Sequence, residues 1–171
     1  MTRVPRPEGR GFRVTASASQ AHAARVAGLE LDAVVLRDAV AADTKAVLAL
    51  WEAAYGDASA RSKQQDIPRL LGHGGEARLL LAEVDGDLAG SLITAFDGWR
   101  GNMYRLAVHP EYQRRGIARR LVDEAEAWLR SIGCLRITAL VEGNHDYATS
   151  FWESAAYRHD EGMRRYSKDL D

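Results

Sequence analysis

The chain has 171 residues, 46% of them hydrophobic, which is enough to bury one sizeable core, so a single domain is the expectation. Its 23 basic and 24 acidic residues nearly cancel, so the overall charge indicates neither nucleic acid nor a membrane surface as partner. No apolar run approaches the ~20 residues that span a bilayer, no apolar signal segment opens the sequence, and the lone Cys134 excludes an intrachain disulfide, so we expect a cytoplasmic protein.

Residues 1–32 differ in composition from the rest of the chain. Arginine, alanine, serine, proline and glycine supply most of this segment, and Glu8 is the only acidic residue before position 30. A segment of this kind buries too little apolar area to offset its ordering entropy, so we predict a mobile arm, disordered or partly helical, before a domain over residues 33–171. A transit peptide or a nucleic-acid-binding arm is less favoured because the arginines are few and spread out.

The domain begins with a short strand and two helices. Residues 33–37 form the predicted first strand, and Asp43 is the predicted N-cap of a helix that continues to Tyr55. The buried stripe of this helix is expected to contain Val47, Leu50, Trp51 and Ala54. A second helix is predicted over residues 62–71, where a glycine-rich loop ends it.

Three antiparallel strands follow as a meander. Residues 78–84 and 87–96 are joined by Asp85-Gly86, a strong hairpin signal. The turn at residues 97–101 then leads into a strand over residues 103–108, whose apolar side chains alternate with period two. Pro110 ends this strand because proline has no N–H to donate.

A basic loop and an amphipathic helix come next. The loop is Gln113-Arg114-Arg115-Gly116-Ile117-Ala118, and the helix buries a stripe that starts at Ile117. Pairs of opposite charge four residues apart lie on its outer face, and Gly133 ends it. A glycine at the first turn of a helix favours an anion site, although an ordinary helix start with solvated arginines explains the loop about as well. The chain has no Gly-Lys pair for a Walker loop and only one glycine here for a Rossmann fingerprint.

The remaining chain predicts a strand, a helix and a last strand. Residues 134–141 alternate as a strand, a helix capped by Asn144 or Asp146 runs to Ala155, and a final strand begins at Tyr157 with its best stretch at residues 163–167. The order of elements predicts a mixed sheet with helices on both faces.

One stretch of the chain resembles a known family. Leu106-Ala107-Val108-His109-Pro110, followed by Gln113-Arg114-Arg115-Gly116-Ile117-Ala118, closely resembles the acetyl-CoA signature of the GNAT N-acetyltransferase superfamily. The resemblance extends from about residue 34 to the C-terminus. It implies a mixed α/β (α+β) fold with a mostly antiparallel sheet of six to seven strands, splayed between the fourth and fifth.

The resemblance also implies an activity, which is transfer of the acetyl group of acetyl-CoA to a primary amine by direct attack. Pantetheine pairs with the fourth strand in this family, so the backbones of Leu106, Ala107 and Val108 are expected to contact it. The other predicted cofactor-binding residues are Gln113, Arg114, Arg115, Gly116, Ile117, Ala118, Arg119 and Asn144. No metal is expected. The expected acceptor is a small-molecule amine or a peptide, and family members are often homodimers, although no residue pattern here indicates one.

The last helix departs from the family pattern at positions where the resemblance places catalytic residues. His145 takes the usual asparagine position, Ala156 replaces a glycine, and Trp152 replaces the tyrosine that commonly protonates the departing thiolate. Trp152 can donate a hydrogen bond to a thiolate but cannot protonate it. Tyr147 or His145 is a less favoured substitute acid.

The amine must lose a proton before it attacks. Candidate proton acceptors are Glu142, Asp97, Glu83 and His145, with Glu142 slightly favoured. A GNAT-like module that binds CoA without turnover is the alternative to an enzyme. Acetylation of protein N-termini or lysines is an alternative enzyme reading, and the N-terminal one is less favoured because the fifth strand has no carboxylate before Glu142.

Overall fold

The computed structural model describes residues 33–56, 65–72, 74–141 and 146–168. The predicted arm, residues 1–32, lies outside this part of the chain, as do Glu142, Asn144 and His145. Short 3-10 turns precede the first and third helices. The strands and helices, in chain order, are β1 Val34–Asp38, α1 Thr44–Tyr55, α2 Asp66–Leu71, β2 Ala77–Val84, β3 Asp87–Phe96, β4 Gly101–Val108, α3 Ile117–Ser131, β5 Ile137–Ala139 and α4 Asp146–Ser154.

The strands form one sheet of five in the order β1-β2-β3-β4-β5 within the described residues. The first three pairings are antiparallel, and β4 pairs with β5 in parallel. The predicted mixed, mostly antiparallel sheet is therefore confirmed. In the described chain no helix is long and apolar enough to cross a membrane.

The predicted count of six to seven strands is not confirmed. No strand forms over residues 157–168, and β5 has three residues instead of the eight expected over residues 134–141. Met163 is 72% exposed and Tyr166 is 89% exposed, so the last segment buries little apolar surface that could hold it against a sheet edge. The predicted final strand is therefore wrong.

Helices cover both faces of the sheet, as predicted. The central run of β2 shows this directly, because Leu80 joins the core under α3 while Leu79 and Leu81 join the core under α1 and α2. Successive side chains of a strand point to opposite faces, so a strand buried on both faces is continuously apolar. The two cores hold the sheet rigidly between the helix layers.

Helix α1 begins where Asp43 was predicted to cap it, but the Asp43 carboxylate has other partners. It accepts hydrogen bonds from the Val40 N–H at 2.8 Å and from both terminal nitrogens of Arg37 at 2.7 and 2.8 Å. Arg37 also donates to Glu83 of β2 at 2.6 Å. These bonds connect the start of α1 to β1 and β2.

Helix α3 buries the stripe that its spacing predicted. Ile117, Leu121 and Ala125 are at most 1% exposed, and Leu129 is fully buried, whereas Ile132 is 40% exposed because the helix ends before it. Predicted charge pairs form between Arg119 and Asp123 at 3.1 Å and between Glu126 and Arg130. The buried stripe places the first turn of α3 against the sheet beside the end of β4.

Candidate functional site

Strands β4 and β5 separate soon after they begin to pair. Their register covers only residues 101–103 of β4, and the last bond between them runs from the Leu140 N–H to the Met103 carbonyl at 3.0 Å. In the described chain no strand pairs with residues 104–108 of β4 on this side. The splay expected between the fourth and fifth strands is present, and it leaves one edge of β4 open.

A β-bulge decides which residues face that open edge. Ser91 pairs with Ala107 whereas Ile93 pairs with Tyr104, so β4 carries one extra residue, and Arg105 adopts a left-handed backbone with φ of 53°. Beyond the bulge the His109 N–H donates to the Ala89 carbonyl on β3 at 2.9 Å.

Because backbone polar groups alternate along a strand, Ala107 faces β3 as His109 does. Leu106 and Val108 therefore direct their N–H and C=O groups to the open edge. Of the three residues whose backbones were expected to contact pantetheine, only these two face the open edge. The side chain of Ala107 is 1% exposed and lies in the core under α1.

Side chains from two other elements hold the carbonyls of this edge. The Tyr55 hydroxyl donates to the Leu106 carbonyl at 2.6 Å, and the Gln113 side-chain amide donates to the Val108 carbonyl at 3.2 Å. Gln113 was a predicted site residue. Tyr55 was not predicted, because the sequence around it indicates only the end of a helix. With the carbonyls held, the two N–H groups are left as the donors of the open edge.

The loop after β4 curls into a concave backbone turn. Arg114 and Gly116 both have left-handed backbones, with φ of 60° and 76°. The first helical bond of α3 joins the Arg120 N–H to the Gly116 carbonyl at 3.1 Å, so the N–H groups of Ile117, Ala118 and Arg119 have no partner within the helix. Such a nest at the positive end of a helix dipole is suited to bind an anion.

The side chains around this loop agree with an anion site. The Nε atom of Arg115 is buried and has no hydrogen-bond partner among the described residues. Arg114 is exposed, and the Ile117 side chain is 1% exposed, so only its backbone reaches the loop surface. The Arg119 side chain instead joins α3 to α4 by donating to the Ser154 carbonyl at 3.2 Å. The residues present therefore fit a pyrophosphate group.

Trp152 lies in the core. It is 9% exposed, and its ring makes edge contacts with Phe151 at 5.3 Å and with Tyr157 at 4.8 Å between centroids. Ala156, where the family pattern has glycine, has φ of 66°, a backbone that favours glycine. The hydroxyl of Tyr157 donates to Glu126 at 3.1 Å, and burial together with this carboxylate raises the pKa of Tyr157. Core packing is enough to explain these contacts of Trp152, and none of them requires the indole to take part in catalysis.

Two of the candidate proton acceptors have structural partners. Glu83 binds Arg37, and it lies on β2, two strands or about 10 Å from β4 at the usual strand spacing. Asp97 accepts hydrogen bonds from the backbone N–H groups of Trp99 at 2.9 Å and Arg100 at 2.7 Å, and the bonds lower the pKa of Asp97. Neither carboxylate lies beside the open edge at Leu106. Glu142 and His145 lie outside the described residues.

A cavity of about 300 Å³ lies beside the bulge, between β3, β4 and the two helices α1 and α2. Its walls are mainly apolar, with one carboxylate from Asp66 and one guanidinium from Arg105. Tyr104 is part of the wall, and burial together with the charge of Asp97 raises the pKa of its phenol. The sequence alone did not indicate this cavity. Its other lining residues are Trp51, Ile67, Leu70, Ile93, Ala95 and Tyr104.

Solved structures share this architecture. An aminoglycoside acetyltransferase, meta-AAC0020 from an uncultured soil metagenomic sample, in complex with sisomicin, superimposes with a TM-score of 0.69 at 18% identity, over 83% of this chain and all of that one. The structure of AAC(6')-Iy in complex with the bisubstrate analogue CoA-S-monomethyl-acetylneamine gives a TM-score of 0.64 at 15% identity, over 80% of this chain and 99% of that one. At these identities the similarity concerns the fold.

The sequence comparisons identify the family. Residues 44–157 match the model of the acetyltransferase (GNAT) family. The chain is also 35% identical over 128 residues to acetyltransferase SG1711 of Sodalis glossinidius (strain morsitans), which covers 75% of this chain and 89% of the relative. The open strand edge, the anion loop and both sequence matches agree, and this chain is a member of the GNAT acetyltransferase family.

Proposed function

We propose that the protein transfers the acetyl group of acetyl-CoA to a primary amine by direct attack. The observation that carries this proposal is the continuity of the open β4 edge with the loop that begins α3. The Leu106 and Val108 N–H groups and the Arg114–Gly116 turn are donors for the two polar parts of one extended molecule. Acetyl-CoA has an amide-rich arm and a pyrophosphate in that order, and it would supply the activated acetyl thioester.

Each group of the site has a proposed role. The N–H groups of Leu106 and Val108 orient the arm and the acetyl carbonyl, and one well-placed donor at a developing oxyanion contributes about 3 kcal/mol to catalysis. The backbone of residues 114–119 and the Arg115 side chain hold the pyrophosphate. Tyr55 and Gln113 fix the two carbonyls of β4 so that the peptide planes do not rotate.

Proton transfer is proposed for the connection between β5 and α4. An alkylammonium with a pKa near ~10 must lose a proton to become a nucleophile, and Glu142 and His145 are the proposed acceptors there. Asn144 is proposed to contact the cofactor in the same connection. A hydrogen bond from Trp152 to the departing thiolate remains a prediction, which its buried position does not favour.

The proposed cofactor site is tested by calorimetric titration with acetyl-CoA. We expect the wild-type protein to bind and Gly116→Glu to lose measurable binding, because the new carboxylate fills and repels the anion site. Gly133→Glu is the matched control, since Gly133 also has a left-handed backbone, with φ of 81°, but follows the opposite end of α3 with open space around it. Equal binding by the wild type and Gly116→Glu, or no binding by the wild type, contradicts the proposal.

Catalysis is tested by following release of the CoA thiol with a panel of primary amines. We expect release that depends on both acetyl-CoA and the amine. Tight binding of acetyl-CoA without turnover on any amine would favour a binding module over a transferase for this chain.

A further inference from the structure

The cavity beside the bulge has the composition of a site for a small apolar molecule. Trp51, Ile67, Leu70 and Ile93 are large apolar residues of its wall, and its volume of about 300 Å³ is at the lower end of the range of about 300–1,000 Å³ for ligand pockets. Among the described residues, Asp66 supplies the one carboxylate that lines the cavity, so a polar, polycationic acceptor would find little to pair with there. The cavity therefore favours an acceptor with one compact apolar group.

Arg105 is the cationic group of the cavity wall, and aromatic rings hold it in position. Its guanidinium carbon lies 5.2 Å from the Trp51 ring centre and 5.5 Å from the Tyr55 ring centre. Among the described residues no carboxylate forms an ion pair with Arg105, whereas Arg37 and Arg78 both pair with carboxylates. A guanidinium that is held by rings keeps its N–H donors available for an anion, and carboxylates fit its fork well.

The position of Arg105 restricts where the acceptor can carry its anion. The Tyr55 ring that contacts the guanidinium also donates its hydroxyl to the Leu106 carbonyl at 2.6 Å. Arg105 thus lies within one tyrosine side chain of Leu106, whose N–H is one of the two that are proposed to orient the acetyl carbonyl. An acceptor whose anion binds Arg105 and whose nitrogen reaches that carbonyl must carry the two groups close together, as an α-amino acid does.

We propose that the acceptor is a free α-amino acid with an apolar side chain, an inference that rests on the proposed acetyltransferase function. Arg105 binds the carboxylate, and the apolar wall at Ile67 and Leu70 receives the side chain. The neutral amine nitrogen attacks the thioester carbon, the C–N bond forms, the C–S bond breaks, and the proton lost by nitrogen ends on the CoA thiol. The products are an N-acetyl amino acid and CoA.

Thiol release with matched acceptors tests the inference. L-leucine and L-phenylalanine are compared with isoamylamine and phenethylamine, which lack the carboxylate, and with leucinamide, in which it is neutral. We expect kcat/KM for the amino acids to exceed that for the other amines by about 10- to 100-fold, the range for a charge-assisted hydrogen-bonded pair. Arg105→Asn keeps a residue that tolerates the left-handed backbone, and it should raise KM for the amino acids while leaving the simple amines unchanged.

Arg100→Asn is the matched control, because Arg100 stacks on the exposed Trp99 in the turn before β4 and does not line the cavity. Equal kcat/KM for leucine and isoamylamine overturns the inference and leaves the acetyltransferase proposal intact. Equal losses on both acceptors in Arg105→Asn, or acetyl-CoA binding with no transfer to any amino acid, also overturn it. Failure of the wild type to bind acetyl-CoA would instead contradict the proposed function itself.

Discussion

Gly90 of β3 is where packing and the proposed cofactor site are most directly coupled. It pairs with Val108 of β4 and faces the first turn of α3. A Cβ atom at Gly90 would lie 3.0 Å from Cγ2 of Ile117, 3.1 Å from the Ala107 carbonyl and 3.1 Å from Cδ1 of Leu121. The carbonyl is backbone and Ile117 is branched at Cβ, so the easiest relief for Gly90→Ala is to push the start of α3 away from the sheet.

The expected magnitude follows from two opposing effects. Overpacking a core by one methyl group destabilises the fold by about 1–3 kcal/mol. Replacing glycine by alanine stabilises it by about 0.4–1 kcal/mol, because alanine lowers the conformational entropy of the unfolded chain. We expect a net loss of about 1–2 kcal/mol, which for a chain of this length lowers Tm by about 2–8 °C. Because the displaced turn carries the anion loop, acetyl-CoA should bind about 3- to 10-fold more weakly, about 0.7–1.4 kcal/mol.

Gly101→Ala is the matched control. Its Cβ would meet Cδ1 of Leu129 at 2.7 Å and the Cys134 sulfur at 3.1 Å, which are ends of side chains near the opposite end of α3. Differential scanning fluorimetry and calorimetric titration of both variants provide the comparison. We expect both to lose stability and only Gly90→Ala to lose affinity. The coupling is refuted if both variants lose affinity equally, or if Gly90→Ala loses stability while binding acetyl-CoA as the wild type does.

Three further predictions concern the groups around the site. Arg37 lowers the pKa of Asp43 to about 2 from its usual 3.8. Arg37→Met should therefore lower the free energy of unfolding by about 1–2 kcal/mol at pH 7. In urea unfolding, the difference in stability between wild type and variant should disappear as the pH falls from about 4 to 2. Tyr55→Phe frees the Leu106 carbonyl and should lower stability by about 1 kcal/mol and kcat by about 3- to 10-fold, and unchanged kinetics would show that this bond does not orient the strand edge. Trp152→Phe should lower the free energy of unfolding in urea by about 1–2 kcal/mol and should change kcat by less than about tenfold. A decrease in kcat of more than about 100-fold would instead place the indole at the departing thiolate.

The sequence predicted most of the elements that place the proposed cofactor site. Alternation in β4, Pro110, the glycine of the loop and the apolar stripe of α3 are local signals, and the structure confirms the elements that they predict. The Asp85-Gly86 hairpin, which is also a local signal, is confirmed. The helices on both faces, which the order of the elements predicted, are confirmed as well. The predicted final strand was wrong because a local sequence pattern does not show whether a neighbouring strand is present to pair with it.

The features of the proposed acceptor side could not be predicted from the sequence. Arg105 occupies a left-handed backbone, for which arginine gives no signal, so the bulge was not predicted. The sequence therefore did not show that Ala107 faces β3 while Leu106 and Val108, which were predicted with it, face the open edge. The bond from Tyr55 to Leu106 joins residues 51 positions apart. Long-range contacts of this kind depend on how α1 lies across the sheet, which the helix pattern alone does not determine.

The most direct test of the proposed acetyl-CoA site is amide hydrogen exchange along β4, measured by NMR with and without acetyl-CoA. The Ala107 amide faces β3, so it is an internal control that should exchange slowly in both conditions. We predict that the Leu106 and Val108 amides become protected by at least about tenfold when acetyl-CoA is bound. Unchanged exchange at both amides under saturating acetyl-CoA would contradict the assignment of this strand edge as the cofactor site.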